Sequence, residues 1–288
     1  MSSLSDAEGR QPHRRWRVAF FGGSFDPPHL GHIEVARAAQ AALGLDAVLF
    51  APVGEQPLKP QGSTAAFAHR LAMTRLAIAG DPAFAVSLAD APKPSGTPNY
   101  TFDTLLTLRA QLPPDGVLFC LLGADAFALL RRWHRAAEIP FVAPLIVASR
   151  PGEDLVDLKA YLPEGLMIEV IPAADEMDVV DHDSSHWLCQ GTTSKPALSA
   201  AEWVSQMQQN DRGALAPGVR SSSYSQIEIR RLTLSNPSGQ QAPFYLLPGL
   251  DIDISASEIR DHIRAQTQQP TQLPDSVSDY IRAHSLYL

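Results

Sequence analysis

Two histidines three residues apart, His29 and His32, close a loop that reads Gly22-Gly23-Ser24-Phe25-Asp26-Pro27-Pro28-His29-Leu30-Gly31-His32. Spaced this way across the predicted start of a helix, both imidazoles can face the same space. The glycines let the backbone approach a bulky ligand closely, and the prolines stiffen the chain just ahead of the helix. A helix start also carries unpaired N–H groups and the positive end of the helix dipole, so the guest that suits this ensemble is an anion, phosphate above all. A bare HxxH pair more often caps a helix or fills a core. The glycine turn, the prolines and the apolar run before them tip the balance toward a binding loop. No GxxxxGK[ST] or GxGxxG sequence occurs, so neither the P-loop nor the dinucleotide fingerprint accounts for such a site.

A second phosphate-compatible segment lies far downstream: Ile254-Ser255-Ala256-Ser257-Glu258-Ile259-Arg260. Ser255 or Ser257 can cap a new helix whose first N–H groups again suit phosphate. Arg260 follows one turn later with a planar fork for phosphate oxygens. Alone this is an ordinary helix start; it gains weight as the partner of the first loop.

The elements that must position these residues follow a repeating pattern. Apolar runs at 18–21, 47–50 and 84–88 are each followed by a Gly- or Pro-bearing loop and a helical stretch, at 31–43, 66–79 and 101–111. Further apolar runs stand at 117–122, 145–148 and 244–247, and two more helices are predicted at 254–264 and 274–284. Short apolar strands alternating with helices are what a parallel sheet covered on both faces requires. The fold class is therefore α/β, a Rossmann-like doubly wound parallel sheet with helices on both faces, whose ligands bind beyond the carboxyl ends of the strands. Residues 1–15 read as a disordered tail and 16–288 as a single domain, interrupted at about 174–242 by a flexible insertion rich in acidic residues, then Gln, Ser, Gly and Pro.

The 288 residues are 45% hydrophobic and 19% charged, enough apolar material for a sizeable core. A net charge of -8, from 23 Lys and Arg against 31 Asp and Glu, argues against a general nucleic-acid binder, so an anionic ligand must be held by a local cluster. Cys120 and Cys189 are too few for a disulfide framework, and Cys120, inside an apolar run, reads as a buried small hydrophobe. The acidic stretch with Asp178, Asp181, His182, Asp183, His186 and Cys189 meets no standard zinc spacing and reads as a solvated loop. With no signal-length or bilayer-length apolar run, the expectation is a soluble cytoplasmic protein without membrane partners.

GGSFDPPHLGH paired with ISASEIR resembles the signature of the nucleotidyltransferase superfamily, whose members direct attack onto the α-phosphate of a nucleoside triphosphate. Three further segments resemble the bacterial nicotinate-mononucleotide adenylyltransferase family: Asn99 to Leu105, Leu122-Gly-Ala-Asp125 with Trp133 beyond it, and Leu273 to Ile281. The resemblance covers about 17–150 and 247–288. It implies that His29, His32 and Arg260 are catalytic, binding ATP phosphates and transition-state charge. Gly22, Gly23, Ser24, Phe25, Gly123, Asp125, Ile254, Ser255 and Ser257 complete the implied ATP site, with Gly123 and Asp125 at the adenosine sugar. Tyr100 and Thr101 would meet the nicotinate ring and its carboxylate, Trp133 would stack on the ring, and Lys59 would add positive charge near the phosphates. The chain departs from the pattern at Ala256, where serine is usual, and at Leu58, where histidine often precedes the lysine.

These residues match the chemistry implied. A phosphate monoester with a second pKa of about 6 is mostly dianionic at neutral pH and needs no general base. The task is to bring it in line with the departing pyrophosphate against charge repulsion, a problem of positioning and neutralisation. The expected partners are ATP and nicotinate mononucleotide, with Mg²⁺ bound mainly through the ATP phosphates and no protein metal site. Nicotinamide mononucleotide or phosphopantetheine as acceptor, and a catalytically inactive nucleotide-binding scaffold, are the alternatives; the oligomeric state stays open.

Overall fold

A computed structural model describes residues 15–59, 61–148, 155–170, 229–247, 254–266 and 272–288. The first 14 residues, the acidic His/Asp stretch, Cys189 and most of the 174–242 segment lie outside the described residues.

Eight strands form one sheet: β1 (Arg17–Gly23), β2 (Ala47–Pro52), β3 (Phe84–Val86), β4 (Val117–Gly123), β5 (Leu145–Ala148), β6 (Met167–Val170), β7 (Arg230–Ser235) and β8 (Gln241–Leu247), in the order β3-β2-β1-β4-β5-β8-β7-β6. Pairing is parallel from β3 through to β8 and antiparallel for β8 with β7 and β7 with β6. The parallel core is thus the doubly wound sheet expected, extended on one side by an antiparallel pair. β7 and the first residues of β8 fall inside the segment read as an insertion.

The helices are α1 (Leu30–Leu43), α2 (Phe67–Ile78), α3 (Thr101–Gln111), α4 (Ala124–Ala128), α5 (Ile139–Val142), α6 (Leu155–Tyr161), α7 (Ala256–Arg264) and α8 (Asp275–Ala283). Alternation along β1 divides the core: Val18 and Phe20 pack in one cluster with Phe102, Leu105, Leu108 and Ile139, while Ala19 and Phe21 pack in another with Ile33, Ala36, Ala39 and Ile78. Every residue of β2 is buried, which is why it reads as a continuous apolar run. A third, smaller cluster joins Ala65 and Met73 to Ile259, Val277, Ile281 and Tyr287, docking α7 and α8 on α2.

Crossovers leave β1 toward β2 on one side and meet β4 on the other, so strand order reverses between β1 and β4. That switch point places the 22–29 loop and the Gly123 end of β4 at the same edge, the position where such sheets take their ligands.

Candidate active site

The loop after β1 folds against α1 through its own imidazoles. The backbone N–H of His29, the residue preceding α1, donates to Nδ1 of His32 at 3.2 Å. An accepting Nδ1 assigns the proton of the neutral His32 ring to Nε2, leaving that N–H as a donor. The two rings lie with centroids 3.7 Å apart, tilted by 35°, and His32 also meets Phe25 edge to face at 4.9 Å. Burial brings His29 down to about 4, and burial together with its neighbour His29 holds His32 well below 6.5. Both rings are therefore neutral at pH 7 in the free protein, and an incoming phosphate chain would favour their charged forms. His29 Nδ1 is buried with no hydrogen-bond partner among the described residues.

Leu30 N–H, one of the free donors expected at the start of α1, is already engaged by the carbonyl of Gln272 at 2.9 Å. Gly22 also has a different reason from the one its sequence context suggests: a Cβ there would stand 2.8 Å from the buried Phe20 ring. Phe25 adopts φ 47, uncommon for a bulky residue, and its side chain is buried against Phe21, Phe50 and His32.

Arg260 on α7 reaches this loop across 234 residues of sequence, donating from NH1 to the carbonyl of Asp26 at 2.7 Å and from NH2 to Ser257 Oγ at 3.1 Å. Ser255 precedes α7 as its cap residue, but its hydroxyl makes no capping bond. Lys59 Nζ donates to Ser24 Oγ at 3.0 Å, and Ser24 Oγ donates to Gln56 Oε1 at 3.3 Å. Desolvation first, then Arg260, lowers the Lys59 ammonium below the ordinary lysine range. The structure thus gathers Ser24, Lys59, Ser257 and Arg260 about the 22–29 loop.

Sequence reasoning missed what holds that loop. Arg70 on α2, 2% exposed, donates to the carbonyls of Ser24 (2.7 Å), Val53 (2.8 Å) and Ala65 (3.1 Å). The buried Asp26 carboxylate accepts from the backbone N–H of Thr64 (2.6 Å) and Ala65 (3.0 Å) and from the Tyr287 hydroxyl (2.8 Å). No local pattern signals either hub, because most of the partners are backbone groups or residues distant in the chain.

The candidates for the pyridine side lie on other elements. Tyr100 precedes α3, and the ring that meets it is His134, with centroids 4.7 Å apart. Trp133 packs half-buried against the core. Asn99 fixes the approach to α3 by accepting from Glu55 N–H at 3.2 Å and donating to the Ala91 carbonyl at 3.1 Å. Gly123 ends β4 with open space where a Cβ would stand, and Asp125 is exposed in the first turn of α4.

Asp90 lies beneath the loop, 3% exposed, with Thr104 Oγ1 donating to its carboxyl. Burial raises this carboxyl from 3.8 to about 6. Since the folded pKa lies above the unfolded one, the fold holds the proton through that window, and stability is lost as pH rises through it. Asp90→Asn keeps an acceptor for Thr104 and removes the buried charge. We expect it to stabilise the protein by about 3 kcal/mol at pH 8, the gain fading toward pH 4, in thermal melts at both pH values. An equal shift at pH 4 and pH 8 would refute this.

An open doubly wound sheet with the loop after its first strand at the switch point is the architecture of nucleotide-binding α/β proteins. The chain belongs to the cytidylyltransferase-like family, whose pattern matches residues 20–262. It is 34% identical over 274 residues to a probable nicotinate-nucleotide adenylyltransferase of Laribacter hongkongensis, covering 95% of each chain. A probable nicotinate-nucleotide adenylyltransferase of Gloeobacter violaceus is 38% identical over 192 residues, 66% of this chain and 92% of that one. Among solved structures, the Plasmodium falciparum nicotinic acid mononucleotide adenylyltransferase complexed with NaAD shares the fold, with a TM-score of 0.57 at 14% identity over 95% of this chain and 98% of that one. Among the described residues, no helix is long and apolar enough to cross a membrane.

Proposed function

We propose that this protein transfers the adenylyl group of ATP to nicotinate mononucleotide, forming deamido-NAD and pyrophosphate in NAD biosynthesis. The nicotinate mononucleotide phosphate attacks the α-phosphorus of ATP, the bond from that phosphorus to the bridging oxygen breaks, and pyrophosphate departs with the electron pair. The observation that carries this reading is the seat of Arg260 on the Asp26 carbonyl, which brings the second motif onto the first. Neutral His32, with Nε2–H as a donor, and His29 beside it bind phosphate oxygens and gain charge as they do so. Arg260 and Lys59 neutralise the departing pyrophosphate. Tyr100 with His134 forms a ring-lined wall for the pyridine, and Thr101, Gly123, Asp125 and Trp133 border the remaining substrate surface.

Mg²⁺ accompanies ATP as part of the substrate and adds positive charge at its phosphates. The loop's own carboxylate is a poor metal ligand, because both Asp26 oxygens already accept hydrogen bonds. The metal would then be held chiefly by phosphate oxygens and water.

The test is pyrophosphate release by the purified protein with ATP, Mg²⁺ and each of nicotinate mononucleotide, nicotinamide mononucleotide and phosphopantetheine. Fast release with nicotinate mononucleotide and at least tenfold slower release with the others is expected. Preference for another acceptor overturns the substrate assignment, and no release with any acceptor overturns the enzyme reading.

A further inference from the structure

We infer that Tyr287, the penultimate residue, is a positioning residue for the phosphate-binding loop, acting through Asp26. The inference rests on the adenylyl-transfer reading and adds to it a part of the chain distant from both motifs. Tyr287 is 7% exposed, and its hydroxyl donates to Asp26 Oδ1 at 2.8 Å across 261 residues. Burial and the adjacent Asp26 push its phenol above the ordinary tyrosine range, so it remains a protonated donor while the enzyme works.

Asp26 has two ends with different tasks. Its carboxylate is fixed by Thr64, Ala65 and Tyr287, and its carbonyl accepts Arg260 NH1. Moving the carboxylate therefore moves the surface on which Arg260 rests, three residues before His29. The Tyr287 ring belongs to the same buried cluster as Ile259, the neighbour of Arg260, so its hydroxyl meets the loop while its ring lies in the cluster that seats α7.

The C-terminal turn is shaped to deliver this group. After α8, Ser285 and Tyr287 adopt φ 50 and φ 67, and Leu286 N–H closes back on the Ile281 carbonyl at 3.0 Å. Left-handed conformations at two non-glycine residues are unfavourable in isolation and persist where surrounding contacts impose them. Leu288, one residue further, is exposed and anchors nothing of this kind.

Tyr287→Phe retains the ring and removes the donor. The expected result is a fall of about tenfold in kcat/KM for ATP and a severalfold weaker MgATP affinity by titration calorimetry, with KM for nicotinate mononucleotide within twofold of wild type. Leu288→Ala, the control, leaves all of these unchanged. MgATP affinity and kcat/KM within twofold of wild type would overturn the inference. So would a lower kcat at unchanged MgATP affinity, the signature of less folded enzyme. The calorimetric arm reads the loop even if nicotinate mononucleotide proves to be the wrong acceptor, which separates failure of this inference from failure of the substrate assignment.

Discussion

Replacing His32 with alanine lowers pyrophosphate release by about two to three orders of magnitude while the fold survives. Two losses combine. The Nε2–H that would meet a phosphate oxygen disappears, and so does the Nδ1 acceptor that holds the His29 N–H. The second loss lets His29 drift from its position 3.7 Å from the vanished ring. Effects of groups that act as a unit are not additive, so a His29 and His32 double replacement falls little below the single one. Stability changes far less, because removing one capping contact costs about 1 kcal/mol. Steady-state pyrophosphate release with a thermal melt separates the two effects. Near-normal turnover in a folded His32→Ala protein would refute the role.

The largest expected stability effect belongs to Arg70. Arg70→Met fills similar space but leaves the carbonyls of Ser24, Val53 and Ala65 without their donors. It also removes the positive charge facing Asp26. A loss of about 3–5 kcal/mol follows, enough to lower the melting temperature by roughly 10 °C in a domain of this size. Arg70→Lys restores the charge but offers one nitrogen to three carbonyls arranged for a fork, so it recovers less than half of the loss. Urea unfolding measures both, and a change below about 1 kcal/mol in Arg70→Met would contradict the account.

The parallel core was legible because its strands are buried on both faces: β2 and β4 read as unbroken apolar runs, and the glycine pair at the end of β1 marked the loop. β7 was not. Its Arg-Arg start and half-exposed pattern resemble the polar stretch around it, and its pairing with β8 and β6 makes it a strand. At the site, the histidines and the arginine were readable because their chemistry is local to short motifs. Arg70 and Asp26 were not, since a charged residue in a helix or a loop reads as solvent-facing until the carbonyls and N–H groups it satisfies are seen. Trp133 was singled out by the resemblance, and it packs half-buried against the core; His134, the ring beside Tyr100, carried no signal of its own.

A crystal structure with a non-hydrolysable ATP analogue, Mg²⁺ and nicotinate mononucleotide tests the central claim most directly. The account predicts triphosphate oxygens within hydrogen-bonding distance of His32 Nε2 and of the Arg260 guanidinium, with the pyridine beside Tyr100 and His134. A triphosphate bound away from the 22–29 loop, touching neither the imidazoles nor Arg260, would contradict it.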